Sequence, residues 1–297
     1  MITKKLLEDK WIPTLMGAFF NFMPKIKADC PLVYIAKKRT LKETIKEIEE
    51  RTQSLIQIKD DPDVIFIYGQ SNDALLVILD NLPSLDEEIE FLPFAHSFWY
   101  ELGRFYAIYT EPEDWEYVFT KDYENPVQRA YRLWSVFIAE TISNYIIEKV
   151  IDKLISENKI LVPKGKLAHA ELSVILNEAV SASEVNEKAL GLYFEILLTG
   201  DFCDKKDAIS TVSNQQQVML NEIKKLLETQ LKKKEFWKIP NTRLSKLGGF
   251  INALELFCEE SPLQRAMKQR EEMLQHLIEG YKNNNNNKSY KPRGRKK

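Results

Sequence analysis

Residues 96–109 read His-Ser-Phe-Trp-Tyr-Glu-Leu-Gly-Arg-Phe-Tyr-Ala-Ile-Tyr and bring together His96, Tyr100, Glu101 and Arg104. Glu101 is the candidate catalytic residue, a carboxylate of the type used as a general base. At helical spacing His96 and Tyr100 fall on one face, four residues apart. Arg104 keeps its proton under all ordinary conditions, so it repels a metal cation instead of ligating one. A second stretch, residues 131–142, reads Tyr-Arg-Leu-Trp-Ser-Val-Phe-Ile-Ala-Glu-Thr-Ile and adds Glu140 one turn beyond Val136. Other catalytic devices are missing. Gly69 and Gly103 stand alone, so there is no phosphate loop or dinucleotide-binding fingerprint, and no Gly-x-Ser-x-Gly elbow appears. His96, His169 and His276 are far apart, and Cys30, Cys203 and Cys258 lack any Cys-x-x-Cys spacing. No metal and no cofactor is expected.

Tyr100-Glu101-Leu102-Gly103-Arg104 resembles the helix-borne zinc motif H-E-x-x-H with both histidines replaced. That motif sets two imidazoles on one helical face with a glutamate between them. The stretch around Val136-Phe137-Ile138-Ala139 resembles the second helix of compact zinc peptidases of the ImmA/IrrE type. There the third ligand is a glutamate three residues before an alanine, and here it is valine. Phe105-Tyr106-Ala107 resembles the apolar tail of the motif helix. The resemblance covers roughly residues 30–150 and implies a zincin-like domain whose ligand positions are Tyr100, Arg104 and Val136. It therefore implies a peptidase scaffold without its metal. Glu140 is the alternative carboxylate, and His96, Glu101 and Glu140 are the residues around which a site would otherwise be built.

With 297 residues, 44% hydrophobic and 29% charged, the chain has the composition of a soluble globular protein. Three cysteines, an odd set without a disulfide framework, point to a reducing compartment. The run from Trp11 to Met23 is broken by Pro13 and too short to span a bilayer. A cytoplasmic protein with no membrane partner is expected. The net charge of −2 hides an asymmetry: residues 282–297 hold seven Lys or Arg and no acid. Five consecutive asparagines and almost nothing apolar predict a disordered basic tail there.

The pattern predicts an α+β, mostly α, chain. A small zincin-like N-terminal domain with a few short strands (1–160) is followed by a C-terminal helical bundle (161–281) and the tail (282–297). Leu32–Ala36 and Val64–Tyr68 read as strands, while Ala74–Leu79 suits a strand or a helix start. Thr40–Ile58 reads as a helix with a Thr40/Glu43 capping box. Ser84/Glu87 offers another box for the motif helix, in which Pro93 predicts a kink or a later start. An acidic, aromatic loop covers Glu111–Asn125. Pro126–Asn158 is one long helix with Trp134, Phe137, Ile138, Thr141, Tyr145 and Ile146 inward, and Leu161–Gly165 marks a boundary. Helices are expected at about 167–180, 184–199, 204–235, 242–260 and 262–280. Gly248-Gly249, inside one of them, marks close packing.

Three functional expectations follow. The first is a catalytically inactive metallopeptidase-like protein that binds or regulates another protein. The second is a hydrolase using Glu101 as general base in an unrecognised site. The third is a nucleic-acid-associated factor acting through Lys288, Lys291, Arg293, Arg295, Lys296 and Lys297.

Overall fold

The computed structural model describes residues 3–23, 31–56, 58, 62–67, 72–82, 92–108, 125–156, 169–181, 184–199, 212–258, 268, 270, 271 and 273–275. The Ser84/Glu87 box, the Glu111–Asn125 loop except Asn125 itself, the Leu161–Gly165 boundary and the tail lie outside them, as do Cys30, Cys203, His276 and the side chain of His169. The protein is α+β and mostly α, with one small mixed sheet. A short helix α1 (Lys4–Leu6) and a wider turn lead into α2 (Ile12–Phe22), which carries Pro13 in its first turn. Then follow β1 (Leu32–Ala36), α3 (Leu41–Thr52), β2 (Val64–Ile67) and β3 (Ala74–Ile78). Among the described residues there follow the helices α4 (Leu92–Ile108), α5 (Pro126–Ser156), α6 (His169–Ala179), α7 (Glu187–Thr199), α8 (Asn214–Leu231) and α9 (Asn241–Leu256), with further helical residues at 268, 270, 271 and 273–275. No helix among the described residues is long and apolar enough to cross a membrane.

The sheet order is β1-β3-β2. β3 is central, parallel to β1 with Leu32 opposite Ala74, and antiparallel to β2 with Val64 opposite Val77. All five of its residues, Ala-Leu-Leu-Val-Ile, are buried, as expected of a strand covered on both faces. Alternation sends Leu75 and Val77 into the main core and Ala74, Leu76 and Ile78 toward α3, where Ile48 and Ile45 pack. Covering on both faces makes this segment a strand and not a helix start.

Helix boundaries differ from expectation where side chains found other partners. The Thr40 hydroxyl faces backward and accepts from Lys37 N–H at 3.3 Å, capping the turn Lys38–Thr40 and not α3. α3 stops at Thr52 because Gln53 takes a left-handed conformation, φ 54°. α4 begins at Leu92, so Pro93 is in its first turn and needs no kink. α8 begins at Asn214, not near 204, because Ser213 and Gln216 form a reciprocal capping box. In α5, Tyr145 is exposed and lies under the Lys149 ammonium, not inward.

α5 organises the helical layer, packing on α4, α7 and α9. Each meets it through a glycine. An added Cβ on Gly103 would lie 2.9 Å from Ala139 Cα, and one on Gly191 would lie 2.6 Å from Leu133 O. At Gly248 it would run into the Pro126 carbonyl. Without a side chain at these points, the helix axes approach closely enough to interdigitate. The main apolar cluster runs from Leu7 to Cys258, with members on both sides of residue 160.

Candidate functional site

α4 and α5 face each other next to β2, the antiparallel edge of the sheet. Between them opens a cleft of about 480 Å³, lined by Pro62, Asp63 and Val64, by His96, Ser97, Tyr100 and Glu101 of α4, and by Glu140 of α5. Of the residues singled out in the sequence, the fold thus brings His96, Tyr100, Glu101 and Glu140 to one cavity. Arg104 lies beside Glu101. Val136 is buried and packs where α5 meets Gly191 of α7, not among the residues lining the cleft.

Glu101 is buried and fully engaged. Arg104 Nη1 donates to both its oxygens, at 3.1 and 3.0 Å, and the Phe66 backbone N–H of β2 donates to Oε2 at 3.0 Å. The Phe66 and Phe105 rings meet edge-on at 5.4 Å beside this contact. Burial pushes the carboxyl above its ordinary range, and the guanidinium and the strand amide pull the other way. Removing one partner of a buried charge leaves the other unsatisfied, at a cost of about 1–3 kcal/mol. Arg104→Ala is therefore expected to lower unfolding stability by about that amount at neutral pH, measured by urea denaturation. The deficit should shrink as the pH falls, because the stranded carboxylate is then relieved by protonation.

His96 is tied to α5 and, through it, to α7. Its Nε2 lies 3.2 Å from Glu140 Oε2 and 3.1 Å from Ser143 Oγ. The Ser143 hydroxyl donates to the Glu140 carbonyl at 3.1 Å, leaving its oxygen to accept from the imidazole. Asn144 also bonds His96 and donates to Glu195 Oε1 at 3.1 Å, and the Thr199 hydroxyl donates to the same oxygen at 2.5 Å. The Tyr100 ring stacks on His96, with centroids 6.5 Å apart, and burial holds the phenol protonated.

The hydrogen bond to Glu140 raises the His96 pKa above 6.5, against the opposing effect of burial. The folded state therefore binds that proton more tightly than the unfolded chain. The resulting stability is complete below pH 6.5 and is lost as the pH rises through the raised value. Thermal melts should show higher Tm at pH 6 than at pH 8, and His96→Gln should flatten that slope. An unchanged slope in His96→Gln would remove His96 as the titrating group. Glu195, also raised by burial, contributes in the same direction but from the carboxylate range upward.

Ser143, Asn144, Glu195 and Thr199 were missed in the sequence. The signal was there: Glu140, Ser143 and Asn144 stand at helical spacing in an otherwise apolar stretch, as do Glu195 and Thr199.

A second polar cluster joins α5, α7 and α9. Arg129, 1% exposed, donates from Nε to Glu187 Oε1 at 2.6 Å and from Nη1 to Asn252 Oδ1 at 3.1 Å, and its Nη2 pairs with Glu255. Arg132 adds a 3.3 Å contact to the other Glu187 oxygen.

The residues that stand where the resemblance would put zinc ligands do not suit a zinc ion. Arg104 brings a fixed positive charge, Tyr100 a phenol held protonated by burial, and Val136 no donor at all. Among the described residues no group of three or more His, Cys, Asp or Glu is placed to hold a metal. Comparison of the chain with family models, with curated proteins and with solved structures finds no match in any of the three.

Proposed function

We propose that this chain is a catalytically inactive, metallopeptidase-like protein that binds or regulates another protein, with the cleft over α4 as its recognition surface. The observation that carries this reading is the state of Glu101. A general base needs an oxygen free to take a proton from the reacting group. Both Glu101 oxygens are instead occupied by Arg104, and one also by the strand amide of Phe66. Gly103 set against Ala139 supports the pairing of the two motif segments. Elemental analysis of purified protein, dialysed without chelator, tests the reading. It expects near-zero zinc, with no chelator-sensitive hydrolysis of a peptide panel and no loss of any background rate in Glu101→Gln. One zinc per chain, or hydrolysis that disappears in Glu101→Gln, sinks it.

A hydrolase is the second reading, favoured by the His96–Glu140 pair in the same cleft. An accessible imidazole fixed by a carboxylate is equipped for acid–base work near neutral pH. This reading requires hydrolysis with a pH profile that is lost in His96→Gln.

A further inference from the structure

We infer that the groove between α8 and α9 binds single-stranded nucleic acid. It holds about 450 Å³ and is lined by Lys225, Thr229, Thr242, Arg243, Lys246 and Phe250, together with Leu226 and Glu222. Residues 222–246, which form one wall, the connecting turn and the start of the other wall, contain eight Lys or Arg and three Glu. Outside that stretch and residues 282–297, the chain has 27 basic and 41 acidic residues. The positive charge is therefore local, in a protein otherwise strongly acidic. The groove itself is lined by three cations, Lys225, Arg243 and Lys246, against one acid, Glu222, and at physiological salt potentials decay over roughly 8 Å.

The chemistry of the walls selects the ligand. On α9, Arg243, Lys246 and Phe250 recur at helical spacing and form one stripe about 10 Å long, and Phe257 caps the helix beyond it. Lys246 is exposed with its ammonium 5.8 Å from the Phe250 ring centroid, Phe250 is half-buried, and Phe257 is exposed. Facing it on α8, Lys225 is exposed and held by Glu222 at 2.6 Å. Arg243 is anchored through Nη1 to the buried Gln230 at 2.9 Å, so its charge is fixed in place. Cations that follow a phosphate backbone, beside aromatic rings on which bases stack, make a surface for single strands. An acidic peptide would use the cations but has no use for the rings, and a duplex hides its base faces.

The test uses the full chain and a labelled 20-nucleotide oligothymidylate, with oligouridylate alongside, in fluorescence anisotropy between 50 and 200 mM salt. Lys225→Gln with Lys246→Gln introduces no repulsion with Glu222 and leaves the Arg243–Gln230 anchor intact. This pair should weaken binding about tenfold at 50 mM salt and reduce the log–log salt slope by about 1.4, two phosphate contacts at ~0.7 each. Phe250→Leu should weaken binding at least fivefold, the lower end of a lost base-stacking contact. Melting temperatures within 2–3 °C of the parent, roughly the shift of a sub-kcal/mol surface change, confirm that the variants are folded. No binding by the parent overturns the inference. So does affinity within twofold in the Lys225/Lys246 variant, or binding lost only on deleting residues 282–297. Equal competition by polyglutamate of matched charge would also overturn it.

Discussion

Gly248→Ala should destabilise the protein by about 3 kcal/mol or more, while Gly249→Ala should stabilise it by up to about 1 kcal/mol. The two positions are adjacent on α9 and differ only in what they face. A methyl group at Gly248 would collide with the Pro126 carbonyl and lie 2.8 Å from Pro126 Cα. Those are backbone atoms at the first turn of α5, where Asn125 Oδ1 already caps Val127 N–H at 3.0 Å. Nothing there yields by a rotamer change, so α9 must move away from α5 and give up part of the packing of Leu244, Leu247 and Ile251, all buried. At Gly249 no atom lies within 4 Å of the added carbon. There the substitution only restrains the unfolded chain and improves helix propensity. Urea denaturation of both variants, with the parent, checks the sign of each effect. Equal and small effects would mean that α9 does not approach α5 as closely as described.

Arg129→Met should cost about 3–5 kcal/mol, because Glu187 and Glu255 would remain buried with their charge partner gone. The loss should be unequal between the two acids. Glu187 keeps Arg132, which reaches both its oxygens at 3.3 and 3.4 Å. No other ion pair among the described residues reaches Glu255. Adding Glu255→Leu to Arg129→Met should therefore recover most of the lost stability, since two apolar side chains then replace a buried pair. Chemical denaturation of the single and double variants measures the coupling. A double variant no more stable than the single would show that the cluster holds α5 and α9 by shape and not by charge.

Much of the fold was legible from local patterns. β1, β2 and α5 follow from apolar runs and proline positions, and the close packing expected of Gly248-Gly249 holds for Gly248 but not for Gly249, which is exposed with nothing within 4 Å. What was not legible depended on distant partners. Whether Ala74–Ile78 forms a strand is decided by its two neighbours and by α3, none of which its own five residues encode. Thr40 has the right type for a cap but spends its hydroxyl on Lys37. At the site, the spacing of His96, Tyr100 and Glu101 placed them correctly on one helix. The link from Asn144 to Glu195 spans 51 residues and joins two helices, so no local window contains it. Arg104 shows the opposite case, since its partner is three residues away and the ion pair follows from spacing alone.

The position of α5 has a consequence for synthesis. Its packing surface is shared among α4, α7 and α9, and α9 ends at Leu256, a hundred residues after α5 itself is complete. At about 5–20 residues per second, a ribosome needs roughly 5–20 s to supply the last of them. Until then the parts of α5 that meet α7 and α9, Leu133 and Phe137 at Gly191 and Pro126 at Gly248, lack those partners, while α4 has already been made. A pause between residues 156 and 256 would lengthen that exposure.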